Sequence, residues 1–370
     1  MENQTLLYTE KLSVGYHGKE LIKEIGISLK HGEIVTLIGP NGAGKSTILK
    51  TITKQLKEIS GTVFVENTKL CDMAEKELAK KMSIVFTERI TPELMTAGDV
   101  VAMGRYPYTG GLGILSEKDR KIIAHSMEQI RIEELKNRNF MSLSDGQKQR
   151  VMLAKALCQE PEILILDEPT SYLDVKYKLE FLEILQTLTR EKKIGVLMSL
   201  HELDLAERVS DRIVCVKGEK VEFFGTPEEI FTDGFVNRLY EITGGTFQEK
   251  NGCVELKKCE GTPQVFVIAG NDTGSFLFRK LQRKGIPFCV GILAENDRDY
   301  PAAEALAVRV ISEKAYEDFS KERYEEAKQA MLSCKKLICC QTVFGSQNRL
   351  NEKLLETARE AGMEIILWQK

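Results

Sequence analysis

The chain has 370 residues, with 52 basic and 55 acidic side chains and a net charge of −3. At about 150 residues per domain the length predicts two or three domains, and the near-neutral balance excludes a broad electrostatic footprint for nucleic acid. No apolar run reaches the ~20 residues of a membrane helix, and Met1 to Glu10 lacks the basic start and apolar core of a signal peptide. Nine scattered cysteines without a CxxC pair read as reduced thiols, so the expectation is a soluble, intracellular, multidomain protein.

Residues 6–29 alternate apolar and polar side chains around Gly15-Tyr16-His17-Gly18, which predicts an antiparallel ribbon. Residues 34–38 form a short apolar strand, followed by Gly39-Pro40-Asn41-Gly42-Ala43-Gly44-Lys45-Ser46-Thr47 and a helix starting at Lys45. That run fits GxxxxGK[ST], placed between strand and helix as its mechanism requires. The glycines turn backbone N–H groups inward around phosphate oxygens, Lys45 reaches the β/γ-phosphates, and Ser46 offers a hydroxyl to Mg²⁺. Helical patterns over 117–134 and 149–158 precede buried-type strands at 163–166 and 194–198, which predicts a mostly parallel sheet covered on both faces.

The strand at 163–166 ends in Asp167-Glu168-Pro169-Thr170. Read alone, two carboxylates at a strand end are ordinary. Paired with the phosphate loop, Asp167 reads as a group that holds Mg²⁺ through water and Glu168 as the general base that polarises the attacking water. Residues 243–263 are polar with little apolar pattern and read as a boundary. Beyond them, strands at 265–268, 288–293, 308–311, 337–340 and 364–367 alternate with helices at 275–284, 313–333 and 350–361, a small doubly wound unit. Its first turn, Ala269-Gly270-Asn271-Asp272-Thr273-Gly274, is Rossmann-like without being GxGxxG, and Asn296-Asp297-Arg298-Asp299 reads either as a ligand-facing strand end or as a solvated loop. The division is 1–245, a linker at 246–262, and an accessory or regulatory unit at 263–370.

Leu143-Ser144-Asp145-Gly146-Gln147 completes a pattern that resembles the ATP-binding-cassette (ABC) ATPases, whose signature is LSxGQ, with Asp145 in place of the usual glycine. Locally this is a Gly-relieved helix start, and Ser144 reads equally as a helix cap. The resemblance implies a fold: an α/β P-loop NTPase of the ABC ATPase type, with an N-terminal antiparallel β subdomain and a helical insertion. It implies that Ser144 and Gly146 touch the γ-phosphate with Gln147 also among the ATP-binding residues, that Tyr16 stacks on adenine, and that Ser171-Tyr172-Leu173-Asp174 is a dimer-contact loop. It further implies that His201 contacts the γ-phosphate alongside the catalytic Lys45 and Glu168. Where the family carries a Mg²⁺-ligating glutamine this chain has Thr87-Glu88, so Thr87 joins Ser46 and Asp167 as a candidate metal ligand, with the Glu88 carboxylate as the alternative.

Gly104-Arg105-Tyr106-Pro107-Tyr108 and the run from Ser199 to Arg212 resemble importers of iron–siderophore, haem and vitamin B12. The implied protein binds and hydrolyses ATP with Mg²⁺ as a homodimer on integral membrane permease subunits at the cytoplasmic face of the membrane. A substrate-binding protein would be served indirectly, and nucleic acid not at all. The alternatives are a soluble cassette ATPase uncoupled from transport and a nucleotide-dependent sensor.

Overall fold

Strand β1 (Thr5–Tyr16) turns back into β2 (Lys19–Ile25) through His17 and Gly18, both at positive φ (52° and 77°), the two-residue turn whose twist suits antiparallel strands. The computed structural model describes residues 5–86, 92–110, 113–232, 234–249 and 252–368. Two units separate at Phe235/Val236.

In the first unit the chain continues through β3 (Ser28–Lys30), β4 (Ile34–Ile38), β5 (Ser60–Val65), β6 (Thr68–Lys69), β7 (Met82–Val85), β8 (Ile163–Asp167), β9 (Gly195–Ser199), β10 (Arg212–Lys217) and β11 (Lys220–Gly225). The sheet order is β6-β5-β1-β2-β11-β10-β4-β9-β8-β7, with β3 on β1. From β10 to β7 neighbouring strands are parallel. Every residue of β4, β8 and β9 is buried, which accounts for their mostly apolar sequences. Each buried Leu or Ile there contributes about 1.5–3 kcal/mol against the entropy of folding. The register sets Ser199, at the end of β9, opposite Asp167 on β8 and Leu37 on β4, so the chemistry-bearing residues share one sheet edge.

Between β7 and β8 lie the helices Ala97–Ala102, Glu117–Gln129 and Asp145–Cys158. Arg105 fixes this insertion from within. It is 2% exposed; its Nε donates to Asp119 (2.8 Å), its Nη1 to the Cys158 carbonyl (2.7 Å) and Glu160 (2.9 Å), and its plane lies 3.9 Å from the Tyr108 ring centroid. Bonds from Ser116 hold the Asp119 carboxyl at about 2; burial opposes them and Arg105 supports them. Among the described residues, no helix is long and apolar enough to cross a membrane.

The second unit contains the hairpin β12 (Gly245–Gln248) and β13 (Cys253–Leu256), then β14 (Val265–Ile268), β15 (Phe288–Ala294), β16 (Arg309–Glu313), β17 (Lys336–Cys339) and β18 (Glu364–Leu367). The last five form a parallel sheet in the order β16-β15-β14-β17-β18, the doubly wound arrangement expected. Two boundaries differ from expectation. The stretch 246–262, read as a linker, holds the hairpin, whose pattern is inverted: Glu255 is buried against Arg279 (3.0 Å) while Val254 and Leu256 are exposed. The helix expected over 313–333 spans Lys321–Leu332, because β16 runs to Glu313 and Ser320 caps the helix.

Candidate functional site

The turn after β4 folds as its glycines dictate. Gly44 has φ 93° and leads into the helix Lys45–Ile52; a Cβ there would lie 2.6 Å from Ile22 Cδ1. Lys45 is 5% exposed, and its ammonium donates to the carbonyls of Gly39 (2.8 Å) and Pro40 (3.2 Å), which curls it over the loop. Burial pushes its pKa down; the nearby Glu168 and Asp167 carboxylates oppose this. Ala43 N donates to the Pro40 carbonyl, Asn41 and Gly42 are exposed, and Thr47 lies 3.3 Å from the hydroxyl of the half-exposed Tyr16. Tyr16 therefore stands beside the loop.

Asp167 faces the same helix start. Ser46 Oγ donates to Asp167 Oδ1 at 3.1 Å, so two oxygen donors meet at the sheet rim, a hard set that suits Mg²⁺. Glu168 follows in the left-handed region (φ 49°), which turns its side chain away from the strand's alternation. Its Oε1 lies 2.5 Å from His201 Nε2, and its Oε2 accepts from Ser171 Oγ at 3.3 Å. The structure thus brings together Lys45, Ser46, Asp167, Glu168 and His201. Thr87 and Glu88 lie outside the described residues.

Ser144 is a helix cap. Its Oγ accepts from Gln147 N (3.3 Å) and Gln147 Oε1 accepts from Ser144 N (3.1 Å), so each side chain caps the other residue's backbone N–H. Gly146 is required by packing, since a Cβ would sit 2.9 Å from Tyr177 Cγ. Sequence reasoning missed Glu202, which accepts from Thr170 Oγ1 (3.0 Å) and Lys178 Nζ (2.5 Å). Burial alone would raise its carboxyl; these two bonds, a backbone hydrogen bond and the Lys178 charge together leave it below its ordinary value.

The second unit carries a similar strand–turn–helix between β14 and the helix Ser275–Arg283, at the strand order's switch point. Here the inward N–H groups are already bonded. Asp299, fully buried, accepts from the N–H of Thr273 (3.0 Å), Gly274 (2.8 Å) and Ser275 (2.9 Å) and from Ser275 Oγ (2.7 Å). Asp297 accepts from Asn271 N at 2.9 Å. The cluster that reads either as ligand-facing or as solvated is an internal counter-ion.

A phosphate-binding turn after β4, a carboxylate pair at the end of β8, one strand removed across β9, and a histidine against the second carboxylate define the first unit as a P-loop ATPase domain. A family model described as ABC transporter matches residues 22–171, and the MJ0874 family matches residues 288–370. The chain is 43% identical over 290 residues to an uncharacterized ABC transporter ATP-binding protein of Methanocaldococcus jannaschii, MJ0873, covering 78% of this chain and 100% of that one. It is 38% identical to the iron(3+)-hydroxamate import ATP-binding protein FhuC of Bacillus subtilis, covering 64% of this chain and 88% of the relative. Among solved structures, a dimeric ABC transporter cassette, MJ0796, superposes with a TM-score of 0.54 at 29% identity, covering 60% of this chain and 99% of that one. The chain belongs to the ABC transporter family, as an ATP-binding subunit of the ABC ATPase class.

Proposed function

We propose that this chain energises the import of a metal chelate of the iron–siderophore, haem or cobalamin type. Two cassettes would close as a homodimer on integral membrane permease subunits at the cytoplasmic face of the membrane, and a substrate-binding protein would be served indirectly. In each site Lys45 and the Gly39–Thr47 turn hold the phosphates, Tyr16 meets the adenine, and Ser144, Gly146 and Gln147 of the partner complete the cradle. Ser46 and Asp167 would hold Mg²⁺, which neutralises charge on the phosphates when bound. Glu168 accepts the proton of the attacking water and His201 orients that carboxylate toward the γ-phosphate.

The observation that carries this reading is the convergence of Glu168, His201, Asp167 and Ser46 on the rim beside Lys45. The chelate class rests on the Arg105-centred motif and on the similarity to a hydroxamate importer subunit. Exposed Leu94, Met103, Tyr106 and Ile114 on the insertion suit an apolar permease contact. The test is Glu168→Gln. Turnover should fall by about 10²-fold or more while ATP still binds, and an ATP-bound dimer should accumulate in size-exclusion chromatography. Normal turnover would overturn the proposal.

A further inference from the structure

Ser199 touches both functional carboxylate residues; it opens the run that resembles the chelate importers, but neither that resemblance nor the family match gives it a role. It is the last residue of β9 and is fully buried. Its Oγ donates to Asp167 Oδ1 at 2.6 Å and accepts from the backbone N–H of Glu168 at 2.9 Å. A hydroxyl has one proton to give and lone pairs to receive with, so both bonds form at once without competing. The first fixes the oxygen that also accepts from Ser46. The second holds the peptide N–H at the point where the backbone enters its left-handed turn. Without that acceptor, a part-buried N–H would lose its partner and the turn its anchor.

We infer that Ser199 is a positioning residue: through Asp167 it sets the metal-facing oxygen, and through the Glu168 N–H it aims the base. This rests on the functional reading above. The hydroxyl contacts neither phosphate nor water in that reading, so its loss should leave metal-free nucleotide binding intact. A polar residue in the otherwise apolar Gly195–Ser199 strand is costly unless it is bonded, and here both bonds go to the catalytic edge.

The experiment compares the parent chain with Ser199→Ala, Ser199→Thr, Ser199→Val and Asp167→Asn. It reads Mn²⁺ binding by EPR with a non-hydrolysable ATP analogue present, binding of that analogue without metal, and kcat against KM for ATP. Thr and Val share a shape and differ by the hydroxyl, so their contrast reads the hydrogen bonds rather than packing or folding. Ala and Val should weaken Mn²⁺ by about tenfold and lower kcat by at least as much, with metal-free binding and KM unchanged; Thr should stay within about threefold of the parent. Equal behaviour of Thr and Val, or a kcat loss without any change in Mn²⁺ affinity, would overturn the role of Ser199. Undiminished Mn²⁺ binding in Asp167→Asn would instead overturn the site reading on which it stands.

Discussion

The turns after β4 and after β14 are built alike and end differently. Each follows a buried strand, each passes through a glycine with φ near 145–148°, Gly39 and Gly270, and each opens a helix with inward backbone N–H groups. In the first, the Lys45 ammonium curls over the turn, donating to the loop carbonyls of Gly39 and Pro40 with the Asp167 and Glu168 carboxylates nearby, and it offers a positive charge to an incoming anion. In the second, the Asp299 carboxylate already sits on three successive N–H groups. The shape of a strand–turn–helix does not by itself make a phosphate site. What decides is whether the protein supplies its own anion.

The comparison breaks hardest at Asp299. Removing its side chain orphans three backbone donors and the Ser275 hydroxyl, so Asp299→Ala should destabilise the second unit by about 3–5 kcal/mol, read in denaturant unfolding. Sulfate should recover part of that loss, since an anion then finds the donors open. A variant as stable as the parent would contradict the counter-ion role. Lys45→Ala comes next: loss of a charge-assisted contact worth about 1.5–3 kcal/mol should weaken ATP about 10- to 100-fold in a fluorescent-nucleotide titration and leave the melting temperature nearly unchanged.

A smaller effect sharpens the same point at a third helix start. Asp119 lies in the first turn of Glu117–Gln129, and its carboxyl is held at about 2 by the bonds from Ser116, with burial opposing them and Arg105 adding to them. Its folded value lies below its unfolded one, so its stabilisation is complete above about pH 4 and is lost as the pH falls toward 2. Asp119→Asn should flatten that part of an acid-unfolding curve. Smallest is the signature cap: Ser144→Ala should cost about 1 kcal/mol of stability through the lost bond to Gln147 N.

What could be read from the sequence was what the chain holds locally. The Gly39–Thr47 run, the two carboxylates and the restarted strand–helix rhythm after residue 263 all depend on contiguous residues; the run lies between a strand and a helix, the carboxylates stand at a strand end, and the rhythm holds apart from the helix that begins at Lys321. Ser199 escaped because its role depends on the register that sets it opposite Asp167 on the neighbouring strand, which spacing does not reveal. Asp299 reads as a loop residue until β15 brings it to the turn 24 residues earlier, at Ser275. The hairpin hid behind the inverted pattern of its second strand, Cys253–Leu256, where the buried position is Glu255 and the exposed ones include Val254 and Leu256. Arg105 belongs to a motif that signals kinship, yet its work is internal, joining three parts of the insertion through Asp119, Cys158 and Glu160.

The most direct measurement is the number of nucleotides held per chain. Titration calorimetry with a non-hydrolysable ATP analogue, repeated with NAD⁺, should give one ATP analogue per chain and no NAD⁺, and Lys45→Ala should weaken that single site about 10- to 100-fold. A second nucleotide per chain that survives Lys45→Ala would place a ligand on the turn that Asp299 fills, and the contrast between the two loops would be wrong.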